Sequence, residues 1–171
     1  MDHFARPEDE LTLAQREGGL QRNFQGYSTR RECDLVGLGV SAIGKVGDCY
    51  AQNIKDIPSW ESAVAEGQLP IWRGVSLTTE DRLRRSIIES VMCHGEVRFR
   101  EFESNYAIDF HDHFALELGN LQQLETDGLI EMGNDEFRAT PEGRLLLRAI
   151  AMIFDEYLQT PESKPKFSRV I

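Results

Sequence analysis

The chain has 171 residues, with 19 Lys and Arg against 29 Asp and Glu, and a formal charge of −10 at pH 7. Its 40% hydrophobic and 28% charged residues are typical of a folded globular protein and exclude disordered, collagen-like and mucin-like chains. The length suits one ordinary domain or two small ones. The acidic charge argues against a general nucleic-acid binder, because phosphate contacts depend on Lys and Arg.

Two further features indicate the compartment. No stretch approaches the roughly 20 apolar residues that cross a bilayer, and the first residues lack the apolar centre of a signal peptide. The three cysteines, Cys33, Cys49 and Cys93, are odd in number and widely spaced, which is not a disulfide framework or a metal motif. We therefore expect a cytoplasmic protein with free thiols, no membrane span and no metal ligands. Cys93 is expected to be buried.

The first half of the chain predicts a short α/β arrangement. Residues 7–20 are expected to form a helix, because Pro7 and the following acids suit a helix N-terminus. The apolar run at 34–43 predicts a buried strand of a parallel sheet. Residues 45–70 are expected to be a connector with a short helix at 56–66.

The second half has stronger helical signals. We expect a helix capped by Thr78 or Thr79 and ended by Gly95, a short helix near 99–105, and a third helix at 111–127 with Gly128 as its stop. Two strands, 129–132 and 136–139, should follow around a turn. Thr140 and Pro141 should start a last helix. This order is typical of a winged-helix domain.

The charges argue against DNA binding by such a domain. Residues 101–137 contain no Lys or Arg but ten acidic residues. Because carboxylates near a phosphate backbone repel it, a packing or lid module is the better interpretation.

Two other motifs admit a binding and a structural interpretation. GLGVSA at 37–42 matches a dinucleotide pattern, but the residues after it are poor helix formers, so close backbone packing competes with ligand contact. His111 and His113 are two residues apart and would not share a helix face, so a metal pair is not favoured.

The segment NFQGY at 23–27 is a candidate nucleoside site. The ring of Phe24 could stack on a base and the amide of Gln25 could hydrogen-bond to it. An ordinary loop is the alternative.

Long stretches carry a resemblance to a known family. They are QREGGLQRNFQGYSTR at 15–30, DLVGLGVSAIGKVGDCYAQN at 34–53, LPIWRGVSLTTEDRLRRSIIESVMC at 69–93 and TPEGRLLLRAIAMIFDEYL at 140–158. The chain resembles the C-terminal part of the bacterial oxygen-independent coproporphyrinogen III oxidases, which are radical S-adenosylmethionine (SAM) enzymes.

The resemblance implies an α+β, mostly helical fold. Residues 1–50 would be the last α/β elements of a partial (β/α) barrel, 51–71 a connector, and 72–171 a winged-helix-like C-terminal cover domain. The family converts two propionates of coproporphyrinogen III to vinyl groups in porphyrin and haem biosynthesis, with SAM and a 4Fe-4S cluster. The resemblance places SAM contacts on Phe24, Gln25 and Ile43.

The sequence departs from the family at the cluster. It has no C-x-x-x-C-x-x-C motif, so it resembles a fragment that lacks the N-terminal barrel portion. We expect no catalytic residue and no cluster ligand in this chain, no activity from it alone, and the missing barrel portion as its partner. The alternatives are a stand-alone winged-helix interaction module and a DNA-binding regulator.

Overall fold

The computed structural model describes residues 5–23, 26–30 and 33–159. The helices are α1 (Glu10–Arg16), α2 (Ile57–Ala65), α3 (Thr79–His94), α4 (Phe99–Tyr106), α5 (Phe110–His113), α6 (Ala115–Thr126), α7 (Leu147–Met152) and α8 (Glu156–Gln159), with a 3₁₀ turn at Gly143–Leu146. The strands are β1 (Gln21–Asn23), β2 (Gly26–Ser28), β3 (Ile43–Val46), β4 (Cys49–Asn53), β5 (Ile71–Ser76), β6 (Glu96–Arg98), β7 (Ile130–Met132) and β8 (Glu136–Ala139).

The strands form three small antiparallel sheets, so the fold mixes helices and strands. Their orders are β1-β2, β3-β4-β5 and β6-β8-β7. In the described ranges no helix is long and apolar enough to span a membrane.

Helix α3 is the central element of the second half and has the predicted ends. Thr78 accepts a hydrogen bond from the Asp81 amide, and Asp81 accepts one from the Thr78 amide, which makes a reciprocal capping box. Gly95 ends the helix at φ +71°, a left-handed conformation that favours glycine. Leu83, Ile87 and Val91 recur at helical spacing and are fully buried.

Aromatic rings fill the core beside α3. The Phe99 and Phe110 rings are stacked with their centroids 4.3 Å apart, and Phe137 stacks on Phe154 at 6.0 Å. Phe114 meets Phe154 edge-on at 5.7 Å. These rings join residues from α4, α5, β8 and the segment after α7, so the second half has one continuous core.

The predicted third helix is two helices. Phe114 leaves the helical conformation at φ −110°, which separates α5 from α6. Its side chain is fully buried, because the break turns the ring into the aromatic core. Gly128 follows α6 at φ +72°, as the stop signal predicted. The two strands of the hairpin are confirmed as β7 and β8.

The predicted last helix is shorter than expected. Thr140 does cap it, since its hydroxyl accepts a hydrogen bond from the Gly143 amide at 3.0 Å. The chain then forms a 3₁₀ turn before α7, and the Leu146 side chain at the end of this turn is exposed.

The buried parallel strand predicted for 34–43 is wrong. Val36 is 69% exposed and Leu38 is 87% exposed. Leu35 forms an antiparallel bridge to Lys45, and of these residues Ile43 alone belongs to a strand, the antiparallel β3. The reason is steric. A Cβ at Gly37 would lie 2.8 Å from the Ile43 carbonyl and one at Gly44 would lie 2.8 Å from the Leu35 oxygen. The two glycines therefore allow this segment to cross β3 closely, which was the structural interpretation of GLGVSA.

The predicted connector also contains more structure than expected. Residues 45–70 include part of β3, all of β4 and helix α2, and only the helix was predicted. No residue between 33 and 82 is buried, so this sheet has no core of its own. Gly47 and Asp48 join β3 to β4 as a two-residue turn, but the residues on either side do not alternate between apolar and polar, so the hairpin was missed.

Two glycine substitutions test the packing of the second half. A Cβ on Gly143 would overlap with the carbonyl oxygen of Leu129, whereas a Cβ on Gly119 in α6 would contact nothing within 4 Å. Gly143→Ala should lower the free energy of unfolding by about 3 kcal/mol. Gly119→Ala should raise it by about 0.5 kcal/mol, since alanine favours helices. Urea unfolding of both variants measures these changes; equal effects would contradict the packing described.

Candidate functional site

A cavity of about 640 Å³ lies between the two halves of the chain. Its walls are the β1-β2 hairpin, strands β3 and β4, one face of α3 and the segment from Phe154 to Tyr157. The volume lies in the range of small-molecule pockets. The cavity is the best candidate for a ligand site in the described residues.

Helix α3 presents different residues to the cavity and to the core. Asp81, Arg85, Ile88 and Met92 line the cavity, and their spacing of three or four residues places them on one helix face. The opposite side carries the buried residues of the core. One helix therefore supports the core and forms the wall of the cavity.

Arg84 fixes the end of the cavity through ion pairs, of which the pair with Glu117 is the most buried. Its guanidinium donates to Glu117 at 2.7 Å and to Glu80 at 2.5 Å, and also to the Phe154 carbonyl at 3.3 Å. The Arg84 side chain is 15% exposed and that of Glu117 only 6%. Because a buried charge needs a partner, the pair fixes α3, α6 and the segment after α7 in one arrangement.

A second cluster connects the start of α3 with the last described helix. The Asp81 carboxylate accepts hydrogen bonds from the Thr78 amide at 2.8 Å and from the Tyr157 hydroxyl at 2.8 Å. Hydrogen bonds from Thr78, and a smaller contribution from Tyr157, hold the pKa of Asp81 below its ordinary value. The hydrogen bond to Asp81 in turn raises the pKa of Tyr157.

Arg85, Glu89 and Tyr50 form the middle of the cavity wall. Arg85 pairs with Glu89 at 3.2 Å and lies over the Tyr50 ring, 5.7 Å from its centroid. Burial raises the pKa of the Tyr50 phenol, although the nearby Arg85 charge opposes this. Tyr50 therefore stays protonated at neutral pH and presents a hydroxyl at the cavity wall.

The first half is attached to α3 by polar contacts. The Tyr27 hydroxyl donates to the Met92 carbonyl at 3.2 Å, and the Gln15 amide donates to the Cys93 carbonyl at 3.0 Å. Asp48 forms an ion pair with Arg82. These contacts position the hairpin and the sheet around the cavity.

The structure does not test the predicted SAM residues. Phe24 and Gln25 lie outside the described residues, between Asn23 and Gly26, which pair across the hairpin. Ile43 begins β3, is half-buried and pairs with Gln52. Asn23 lines the cavity, as does Lys45, which lies on the same face of β3 as Ile43. The assignment of the three residues to SAM stays a prediction.

The other motifs considered in the sequence have structural roles. Residues 43–46 after GLGVSA form a strand, so the helix that a dinucleotide site requires is absent there. His113 contacts Glu80 at 2.9 Å and His111 contacts the Asn134 carbonyl at 3.1 Å. Cys93 is buried, as expected.

Sequence reasoning missed most of the cavity. Arg22, Lys45 and Tyr50 were not singled out, because each belongs to a short strand and none lies in a recognisable motif. Besides Asn23 in the candidate segment 23–27, the available signal was the spacing of Asp81, Arg85, Ile88 and Met92, which marks a second helix face.

Comparison with known proteins identifies the second half first. Residues 77–146 match the family model of the HemN C-terminal domain. This part of the chain, built on α3 and its aromatic core, is therefore a HemN C-terminal domain.

The whole chain has close relatives. It is 48% identical over 171 residues to the oxygen-independent coproporphyrinogen III oxidase of Pseudomonas aeruginosa and 47% identical over 171 residues to that of Escherichia coli. Each match covers 100% of this chain and 37% of the relative. The chain is therefore similar along its whole length to oxygen-independent coproporphyrinogen III oxidases, and it spans a little over a third of the length of these relatives.

The fold agrees with this assignment. The solved structure of coproporphyrinogen III oxidase (HemN) from E. coli, described as a radical SAM enzyme, matches 92% of this chain and 36% of that protein, with a TM-score of 0.89 and 47% identity.

The buried ion pair between Arg84 and Glu117 can be tested by a double-mutant cycle. Arg84→Met alone leaves the Glu117 carboxylate buried without its main partner and should cost about 3–5 kcal/mol of unfolding free energy. The double variant Arg84→Met, Glu117→Leu should recover most of that loss, because no buried charge remains. Urea unfolding of both single variants and the double variant gives the coupling energy. Additive losses would show that the two charges do not interact.

The capping box makes a contribution to stability that depends on pH. Asp81→Asn should lower the free energy of unfolding by about 1 kcal/mol at pH 7. Because the folded-state pKa of Asp81 is depressed, the wild-type advantage is complete above its unfolded pKa and is lost as the pH falls through the folded pKa. Unfolding curves at pH 7 and below about pH 4 should therefore show a shrinking difference. An advantage that is constant with pH would contradict this role.

Proposed function

We propose that this chain forms part of the active site of an oxygen-independent coproporphyrinogen III oxidase. The observation that carries the proposal is the identity of 48% and 47% to two such enzymes along the entire chain. In this role the chain acts in the oxidation of coproporphyrinogen III to protoporphyrinogen IX. A cytoplasmic location suits this role.

The proposed site lies at the cavity and the adjoining hairpin. Phe24 and Gln25 would stack on and hydrogen-bond to SAM, and Ile43 would pack against it. The support is that their neighbours Asn23 and Lys45 line one cavity. SAM supplies the radical chemistry when bound, and this chain contributes binding and orientation.

The residues of this chain do not fit an iron–sulfur cluster. Cys93 is buried, Cys49 lies on β4 with its sulfur 3.5 Å from the Ser76 hydroxyl, and Cys33 is on a separate exposed segment. No cluster of three metal-binding side chains occurs among residues 5–23, 26–30 and 33–159. We therefore assign no step through the cluster to this chain, and its ligands would belong to the remaining part of the enzyme.

We also propose a division of labour within the chain. Residues 1–50 would complete the barrel of the enzyme, 51–71 would connect, and 72–171 would cover the active site as a winged-helix-like domain. The support for the cover domain is the order α3, α4, α5, α6 and then the β7-β8 hairpin, with β6 added to its sheet. The absence of basic residues from 101 to 137 favours a cover over a DNA-binding domain.

The remaining part of the enzyme is the proposed partner. Nine large apolar side chains between residues 36 and 75 are exposed, four of them on the β3-β4-β5 sheet, which has no core. A surface of this kind marks an interaction site. They are Val36, Leu38, Val46, Ile57, Val64, Leu69, Ile71, Trp72 and Val75. The relatives are almost three times as long as this chain, so they contain the polypeptide that could cover it.

A chimera tests the proposal. The matching part of the E. coli enzyme is replaced by this chain, which is 47% identical to it. The purified chimera, reconstituted anaerobically, should convert coproporphyrinogen III to protoporphyrinogen IX, whereas this chain alone should form no 5′-deoxyadenosine from SAM. An inactive but folded chimera, or an active isolated chain, would overturn the proposal.

Variants of the chimera test the SAM assignment. Ile43→Asp should raise the KM for SAM at least about tenfold, because a carboxylate would replace an apolar contact. Ile43→Val should keep the wild-type KM for SAM, because valine is also apolar. Leu116 is exposed on α6, so Leu116→Asp is the matched control. An unchanged KM for SAM in Ile43→Asp would remove this residue from the site.

A further inference from the structure

The cavity combines apolar and charged walls. Ile88 and Met92 of α3, with Leu77 and Phe154, provide apolar surface. Both acidic and basic side chains also line it, five of each kind. The question is which charges are satisfied within the protein and which remain for a ligand.

Every acidic residue on the wall has a partner within the protein. Asp81 bonds Thr78 and Tyr157, Glu89 pairs with Arg85, Glu156 pairs with Arg84, Asp34 accepts from the Gly47 amide, and Asp155 accepts from the Tyr157 amide. No carboxylate on the wall therefore needs a cationic ligand.

Two of the basic residues differ. Arg22 on β1 contacts the Tyr27 ring at 5.8 Å, and Lys45 on β3 bonds through its backbone to Leu35. Within the described ranges neither the guanidinium of Arg22 nor the ammonium of Lys45 has a carboxylate partner. Both side chains are half-buried. A cation that is partly removed from water and unpaired favours an anionic ligand.

We propose that Arg22 and Lys45 bind a carboxylate group of the tetrapyrrole substrate, while the apolar wall of α3 packs against the macrocycle. This inference rests on the proposed function, which supplies a substrate that is apolar in its ring and carries propionates. Tyr50 pairs with Lys45 across the β3-β4 ladder and lines the same cavity.

The methionyl part of SAM also carries a carboxylate, so the test must separate the two ligands. The probes are coproporphyrin III, which carries the same four propionates as the substrate and is fluorescent, and SAM alone. Each is titrated into the whole chain by fluorescence or calorimetry. The variants are Lys45→Gln and Arg22→Gln, with Lys45→Arg as the conservative rescue.

The matched control is Lys55→Gln. Lys55 is exposed and lies over the Trp72 ring, 4.3 Å from its centroid, away from the cavity wall. Lys45→Gln and Arg22→Gln should each raise the Kd for coproporphyrin III about tenfold, because each removes a charge-assisted hydrogen bond. Lys45→Arg and Lys55→Gln should keep the wild-type Kd. Thermal unfolding midpoints equal to wild type show that the variants are folded.

Several results would overturn the inference. The first is that the wild-type chain does not bind coproporphyrin III, and the second is that the Gln variants of Arg22 and Lys45 bind it as tightly as wild type does. The others are that Lys55→Gln weakens coproporphyrin III binding as much as they do, or that they weaken only the binding of SAM. The activity of the chimera decides the proposed function separately. In the chimera, Lys45→Gln should raise the KM for coproporphyrinogen III with little change in kcat, because it removes binding and not chemistry.

Discussion

The structure depends on helix α3, which must pack into the apolar core on one side and line a cavity on the other. One side of α3 is fully buried against aromatic rings, and the other side forms the wall of a cavity. The reciprocal hydrogen bonds of Thr78 and Asp81 fix where the helix starts, and Gly95 fixes where it ends. Because both ends of α3 are fixed, the position of each residue in the helix determines which side it faces. A change of register by one residue would turn Arg85 and Ile88 away from the cavity.

The buried guanidinium of Arg84 connects this helix to the rest of the HemN C-terminal domain. Its partners come from α3 itself, from α6 and from the residues after α7. The chain has a formal charge of −10, and the Arg84 guanidinium contacts the carboxylates of Glu80 and Glu117, which would repel each other without it. The ion pairs of Arg84 therefore hold the elements of the domain together and also form one end of the cavity.

Prediction from sequence succeeded where the signals are local. The capping residue Thr78, the stops at Gly95 and Gly128 and the β7-β8 turn each need only a few neighbouring residues. It failed for 34–43, because a run of apolar residues resembles a buried strand. The run instead folds back so that Gly37 and Gly44 lie against Ile43 and Leu35, a crossing that an apolar pattern does not show. Phe114 was placed inside a helix for a similar reason, since only the aromatic core requires the break.

The cavity could not be predicted from residue patterns, because it exists only in three dimensions. Tyr50 and Arg85 are 35 positions apart in the sequence and meet through a ring contact. The resemblance to the oxidases identified the family, and the structure added the residues around the predicted SAM contacts. It also showed that the sheet from β3 to β5 lacks a core, which is consistent with a place inside a longer protein.

The most direct measurement of the central claim is an anaerobic crystal structure of the chimera with coproporphyrinogen III bound. We expect the tetrapyrrole to lie against Ile88 and Met92 on the cavity side of α3, with a propionate at Lys45. A tetrapyrrole bound elsewhere, with the cavity between α3 and the hairpin filled by protein side chains, would contradict it.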